Sequence, residues 1–220
     1  VNAGLPYRPA PGGAASEPGL FAFVIHPLYV SQYAQKFPIT RFMPARLVER
    51  LFRAVPPFEA SHITGIVSAT GARAEGWFIA LPWTPRVLLD APIPLVYRRL
   101  IQAGRIAERL GAGILGLGAF TKIVGDRGLT VARALSIGVT TGNSLTAATA
   151  VEGALAAAAR MDVNPGRARV AVLGATGSIG AVCCRLLAPQ VGGLVLAARH
   201  RGRLDALAER LRAEAAADVA

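Results

Sequence analysis

Val170-Ala-Val-Leu-Gly174-Ala-Thr176-Gly177-Ser178-Ile179-Gly180 is the stretch that decides the fold. An apolar run of strand length ends on a glycine, two more glycines follow at three-residue intervals, and a helix-forming run starts at once. Each glycine has its own task in such a corner. Gly174 lets the strand turn sharply, Gly177 admits a diphosphate against bare backbone, and Gly180 lets the helix pack closely on the strand. The helix start offers unsatisfied N–H groups and the positive end of its dipole to an anion. Thr176 and Ser178 add hydroxyl donors, and Ile179 adds its backbone.

A bare glycine pattern is weak evidence, and here Thr176 stands where the common dinucleotide fingerprint has its second glycine. The context supplies the specificity. Strand 168–173, glycine loop, helix 178–187, strand 193–198 and helix 203–217 form a β-α-β-α series, the signature of a parallel sheet. The end of the second strand selects the cofactor. An NAD-binding unit places Asp or Glu there for the ribose 2′-hydroxyl. This chain instead reads Leu196-Ala-Ala-Arg199-His-Arg201, with no acid and two guanidinium forks suited to a 2′-phosphate. The predicted cofactor is NADPH.

Working outward, residues 1–19 are rich in Pro, Gly and Ala and read as a flexible tail. Residues 20–163 read as an α+β substrate-side domain. It comprises a strand at 20–25, helices at 33–37 and 45–55, and a hairpin pairing 62–67 with 76–81. A helix at 95–110, a glycine-rich strand or close-packed loop at 111–118 and a long helix at 144–161 complete it. Asn164-Pro-Gly166 is the predicted domain boundary. Residues 164–220 are then the first part of a Rossmann-type unit with two strands, truncated at Ala220. The whole chain is α/β.

Composition narrows the function classes. The 220 residues carry a formal charge of +11, almost all of it arginine, with Lys36 and Lys122 the only lysines. No nucleic-acid recognition motif accompanies this charge, so it points to an acidic partner protein or a phosphorylated ligand. No apolar window of about 18 residues reaches the length of a membrane span, and no secretory leader is visible, so a cytoplasmic protein is expected. Cys183 and Cys184 are adjacent and have no metal-ligand companions, which predicts no metal site and two small packing residues. His26, a lone histidine ending an apolar run, reads as a structural donor.

Further blocks carry a resemblance. Leu117-Gly-Ala-Phe-Thr-Lys-Ile-Val124, Thr140-Thr-Gly-Asn-Ser-Leu-Thr-Ala147, Val170 to Gly180 and Ala198-Arg199 together resemble the bacterial long-chain acyl-(acyl carrier protein) reductases over residues 115–215. The resemblance implies NADPH-dependent reduction of a fatty acyl thioester, on acyl carrier protein or coenzyme A, to a fatty aldehyde, with an aldehyde-consuming enzyme as a further partner. It implies that a cysteine thiolate takes the acyl group before hydride releases the aldehyde. That cysteine lies beyond the second Rossmann helix in the family, so no catalytic residue is assigned in this chain, and the chain alone is expected to be inactive. The resemblance also implies a substrate and nicotinamide pocket drawn from Phe120, Thr121, Thr140, Thr141, Gly142 and Asn143. Core packing for the first pair, and helix capping by Thr141 or Asn143, are the competing roles.

Two other readings stay open. One is an NADP-dependent dehydrogenase of the shikimate dehydrogenase or glutamyl-tRNA reductase kind, which shares this domain order. The other is a non-catalytic NADP-binding fragment. Replacing Arg199 with Ala is expected to weaken NADPH binding selectively, checked by titrating NADPH and NADH in parallel; equal loss for both would remove the 2′-phosphate assignment.

Overall fold

The computed structural model describes residues 17–122, 125–214 and 218–219. The first sixteen residues of the predicted tail lie outside them. The chain divides into two compact units, 1–141 and 142–220.

The first unit runs β1 (Gly19–Ile25), α1 (Tyr33–Lys36), α2 (Ala45–Ala54), β2 (Phe58–Val67), β3 (Arg73–Ala80), α3 (Pro85–Asp90), α4 (Ile93–Arg109), β4 (Ile114–Leu117), α5 (Leu129–Ala134) and β5 (Gly138–Thr140). Its sheet has the order β2-β3-β1-β4-β5. The predicted hairpin is present as antiparallel β2 and β3, with β3, β1, β4 and β5 mutually parallel. The chain leaves β1 for β3 on one side and later returns to β4 on the other. The carboxyl ends of β1 and β4 therefore flank the point where crossovers diverge, the place where open α/β sheets form ligand crevices.

Packing explains the glycine-rich stretch before residue 118. Phe23 sits opposite Gly116 in register, and a Cβ on Gly116 would lie 2.4 Å from the Phe23 ring. The stretch is thus a strand whose missing side chains make room for an aromatic ring. On the other face Ala22, Val24, Ile79, Leu115 and Leu117 join Val96, Leu100 and Ala103 of α4 in one buried cluster. Apolar residues at three- and four-residue spacing put that stripe of α4 on the sheet. Thr84 caps α3, accepting from the Val87 N–H and donating to buried Glu49 at 2.6 Å.

The second unit contains α6 (Asn143–Arg160), β6 (Arg169–Leu173), α7 (Gly180–Leu187), β7 (Gly193–Ala197), α8 (Arg201–Glu214) and β8 (Asp218–Val219). Two sequence expectations change here. The sequence places the long helix in the first domain, with the boundary at 164, whereas α6 belongs to the second unit. Val151 on α6 is part of the same buried cluster as Cys184, Leu187, Leu194 and Leu207. Strand count also rises from two to three, because β8 pairs in parallel with β7 and gives the order β6-β7-β8. The sheet is apolar on both faces. Leu194 and Leu196 are buried under the helices, whereas Leu173 and Val195 are 83% and 38% exposed.

In the first unit the His26 ring, just past β1, holds the turn that follows β4. His26 Nε2 accepts the Phe120 N–H at 3.1 Å, which obliges Nδ1 to carry the proton it directs at the Pro27 carbonyl, also 3.1 Å away. The two bonds together require the neutral ring. Burial lowers the His26 pKa below its ordinary value, with the Pro27 carbonyl opposing. Below about pH 6.5 the unfolded chain takes up a proton that the folded one refuses, so stability falls with pH. The urea midpoint of the chain is expected to drop between pH 7.5 and 5.5 by more than that of His26→Gln. Parallel pH dependences would exclude this linkage.

Candidate functional site

Around the glycine corner, the strand end is held by its neighbour. Gly174 and Ala175 both donate to the carbonyl oxygen of Ala197 at the end of β7, at 2.7 and 3.1 Å. Gly174 has φ +78°, a conformation that strains any L side chain. The Gly177 N–H then donates to the Gly174 carbonyl at 2.8 Å and closes the turn. At Gly180 an added Cβ would come within 2.3 Å of the Gly174 oxygen and 2.9 Å of its carbon. Both are backbone atoms and cannot swing aside. At Gly177 the same test gives 3.1 Å to the Gly174 oxygen. The three glycines are therefore spent on shape, with the tightest approach between the first and the last.

The corner is open to solvent. Gly174, Gly177 and Ser178 are exposed, Thr176, Ile179 and Gly180 are half-buried, and Ala175 is buried in the core beneath. The helix behind it starts at Gly180 rather than at Ser178, so 174–179 form the turn itself. Asn143 donates from its side-chain nitrogen to Ser178 Oγ at 3.2 Å, bringing the start of α6 to the corner. Helix α6 is capped at Gly142, with φ +72° and no side-chain cap bond, in place of the predicted capping by Thr141 or Asn143.

Beyond β7, Arg199 and Arg201 are both exposed. Arg199 is two residues past the Ala197 carbonyl that receives the corner's N–H groups, and it has no ion pair among the described residues. Arg201 lies 4.0 Å from Asp205 on the next turn of α8, a pair worth little in water. A diphosphate and a 2′-phosphate need bare N–H groups, hydroxyls and a nearby guanidinium, and these residues fit that need.

The expected pocket residues of the first unit gather at the carboxyl ends of β4 and β5. Phe120 is half-buried, with its ring edge-on to His26 at 5.9 Å between centroids. Thr140 ends β5, paired with Gly116, and Thr141 follows it. Thr121 is different. It is fully buried, and its hydroxyl donates to the Gly118 carbonyl at 2.6 Å. That bond shapes the turn and leaves the side chain no open surface, so Thr121 is a packing residue and not part of a pocket wall. Ala119 between them has φ +45°, an uncommon state for a residue with a Cβ. His26 anchors this turn from 94 residues away, a role the sequence shows only as a polar residue ending an apolar run.

Cys184 is fully buried on α7, and burial pushes its thiol up to about 11, with the neighbouring Cys183 adding to the rise. Cys183 Sγ is 3.8 Å from the Ala147 carbonyl of α6. Burial keeps the Cys184 thiol protonated at neutral pH. Among the described residues no cluster of three His, Cys, Asp or Glu side chains is placed to hold a metal, and no helix is long and apolar enough to cross a membrane.

Comparison with known proteins agrees with the motif blocks. The chain is 34% identical over 163 residues to the long-chain acyl-[acyl-carrier-protein] reductase of Synechococcus elongatus, a match covering 70% of this chain and 48% of that protein. It is 35% identical over 136 residues to the aminotransferase PigE of a Serratia species, covering 62% of this chain and 16% of that protein. The chain thus spans about half the length of the reductase and a smaller share of the second relative. Among solved structures, L-tryptophan dehydrogenase from Nostoc punctiforme superposes over 92% of this chain and 51% of its own, with 15% identity and a TM-score of 0.39. No family model matches the chain.

Gly180→Ala is expected to dislocate the corner and abolish dinucleotide binding at any concentration up to about a hundred times the wild-type dissociation constant, read by NADPH fluorescence. Retained binding in a folded Gly180→Ala chain would place the nucleotide elsewhere.

Proposed function

We propose that this chain, a sequence relative of the long-chain acyl-[acyl-carrier-protein] reductases, supplies the NADPH-holding and substrate-facing parts of a cytoplasmic oxidoreductase. Its reaction converts a long-chain fatty acyl thioester, NADPH and a proton to a fatty aldehyde, the free thiol and NADP⁺, with hydride going to the acyl carbon and the proton to the departing thiolate. The observation that carries the reading is the solvent-open corner at Gly174–Gly180, in which a Cβ at residue 180 would occupy the space of backbone.

The chain's own residues divide the work. Backbone N–H groups of Ser178 and Ile179, with the hydroxyls of Thr176 and Ser178, would hold the diphosphate at the start of α7, where the helix dipole favours negative charge, and Gly177 leaves the approach free of a side chain. Gly174 and Gly180 keep the corner tight enough for that approach. Arg199, with Arg201 beside it, takes the 2′-phosphate bidentately and distinguishes NADPH from NADH. Gly142 opens α6, and Asn143 beside it braces Ser178. Phe120, Thr140 and Thr141, at the carboxyl edge of the first sheet, face the acyl thioester. When bound, the dinucleotide supplies the hydride.

Acyl transfer to a thiolate is not assigned to Cys183 or Cys184, because burial holds Cys184 protonated. The 220-residue chain is therefore expected to bind cofactor without turnover. The thioester arrives on acyl carrier protein or coenzyme A, and the water-insoluble aldehyde passes to an enzyme that consumes it.

The test uses the natural full-length protein with palmitoyl thioester and NADPH. Equimolar loss of NADPH and appearance of hexadecanal, by absorbance and gas chromatography, is the expected result. Absence of aldehyde from both carrier-bound and coenzyme A thioesters would overturn the reductase reading, and equal rates with NADH would overturn the cofactor choice.

A further inference from the structure

A groove of about 620 Å³ runs along α4 on the first unit, between that helix and the Pro56–Pro57 turn that follows α2. Its floor is apolar, made by Tyr97, Ile101 and Ile106 with the two prolines. Arginines border it: Arg98, Arg105 and Arg109 lie on the groove with Gln102 among them, and no acidic side chain among the described residues lines it.

Their states differ. Arg105 is already engaged, donating to Glu108 at 2.8 Å and to the Ala134 carbonyl at 2.7 Å. Glu108 itself is turned to Ser136, whose N–H and hydroxyl hold its carboxyl down to about 2. Arg98 and Arg109 are exposed and meet no acid among the described residues. From Pro94 to Arg109 the groove follows α4 for about 22 Å at 1.5 Å per residue, the length of a four-turn helix.

We propose that this groove docks an acidic amphipathic helix of the acyl carrier protein, its apolar ridge on Ile101 and Ile106 and its carboxylates on Arg98 and Arg109. The proposal rests on the thioester reading above and names where the carrier binds. Charge complementarity selects the occupant. A chain of net charge +11 presents two uncommitted guanidinium groups on one face of α4, towards opposite ends of an apolar strip, and arginine and tyrosine are the residues that anchor such contacts.

The experiment titrates the 220-residue chain with fluorescently labelled palmitoyl-acyl carrier protein and follows anisotropy, without any need for turnover. Binding in the micromolar range is expected at low salt. Arg98→Glu/Arg109→Glu is expected to weaken it at least tenfold, while Arg46→Glu/Arg50→Glu, the same charge change on α2, shifts it less than twofold. All four positions are exposed, and unchanged melting curves verify that the variants fold. No binding by wild type, or equal weakening by both pairs, would overturn the proposal. So would coenzyme A binding that Arg98→Glu/Arg109→Glu abolishes, or a concentration-dependent dimer that the same pair dissolves, since either names another occupant. Carrier binding that survives alongside failed reduction by the full-length protein would sink the reductase reading and leave the docking surface standing.

Discussion

One carbonyl oxygen organises the second unit. Ala197 ends β7 and accepts from the N–H groups of both Gly174 and Ala175, so the end of one strand fixes the turn out of its neighbour. Two donors on one acceptor are geometrically demanding, and Gly174 meets the demand by adopting positive φ. From that point the Gly177 bond, the contact of Gly180 with Gly174, and the start of α7 follow. Arg199 is placed by the same carbonyl, since it follows Ala197 by two residues at the same sheet edge. The nucleotide reading is therefore a statement about one sheet edge and not about a set of separate residues.

The first unit solves a comparable problem with a side chain. Its carboxyl edge joins β1 to β4 through the His26 ring, which accepts from Phe120 and so fixes its own tautomer. That bond spends the only lone pair the neutral ring has. His26 therefore acts by position, holding Phe120 and the Gly118–Thr121 turn, and it is not a free base. Both units thus present a rigid carboxyl edge, one built by backbone and one by an imidazole.

Much of this was legible in the sequence because glycine spacing and strand length are local signals. Strand β6, the corner, α7 and β7 are where residues 168–198 place them, and α2, α4 and the β2–β3 hairpin follow their apolar periodicity. What escaped was short or long-range. Helices α3 and α5 have six residues each and β5 has three, too few for a period to register. The domain boundary at 164 falls after α6 because that helix is rich in alanine, and Ala147 and Val151 form too thin an apolar stripe to show which core they join. Thr121 reads as a polar pocket residue until its hydroxyl is seen to be spent on Gly118. For His26, no local pattern can report a partner on another strand.

The alanine at position 119 has its own bearing on how this edge behaves. Left-handed backbone costs a residue with a Cβ about 1–2 kcal/mol, a cost glycine would avoid. Glycine would also hand the denatured chain more conformations to lose. These effects oppose each other, so alanine here does less for stability than for narrowness: the basin open to the turn is small. Whatever approaches the end of β4 encounters a preformed surface with little latitude to remould itself, and discrimination at that surface comes from fit to a fixed contour.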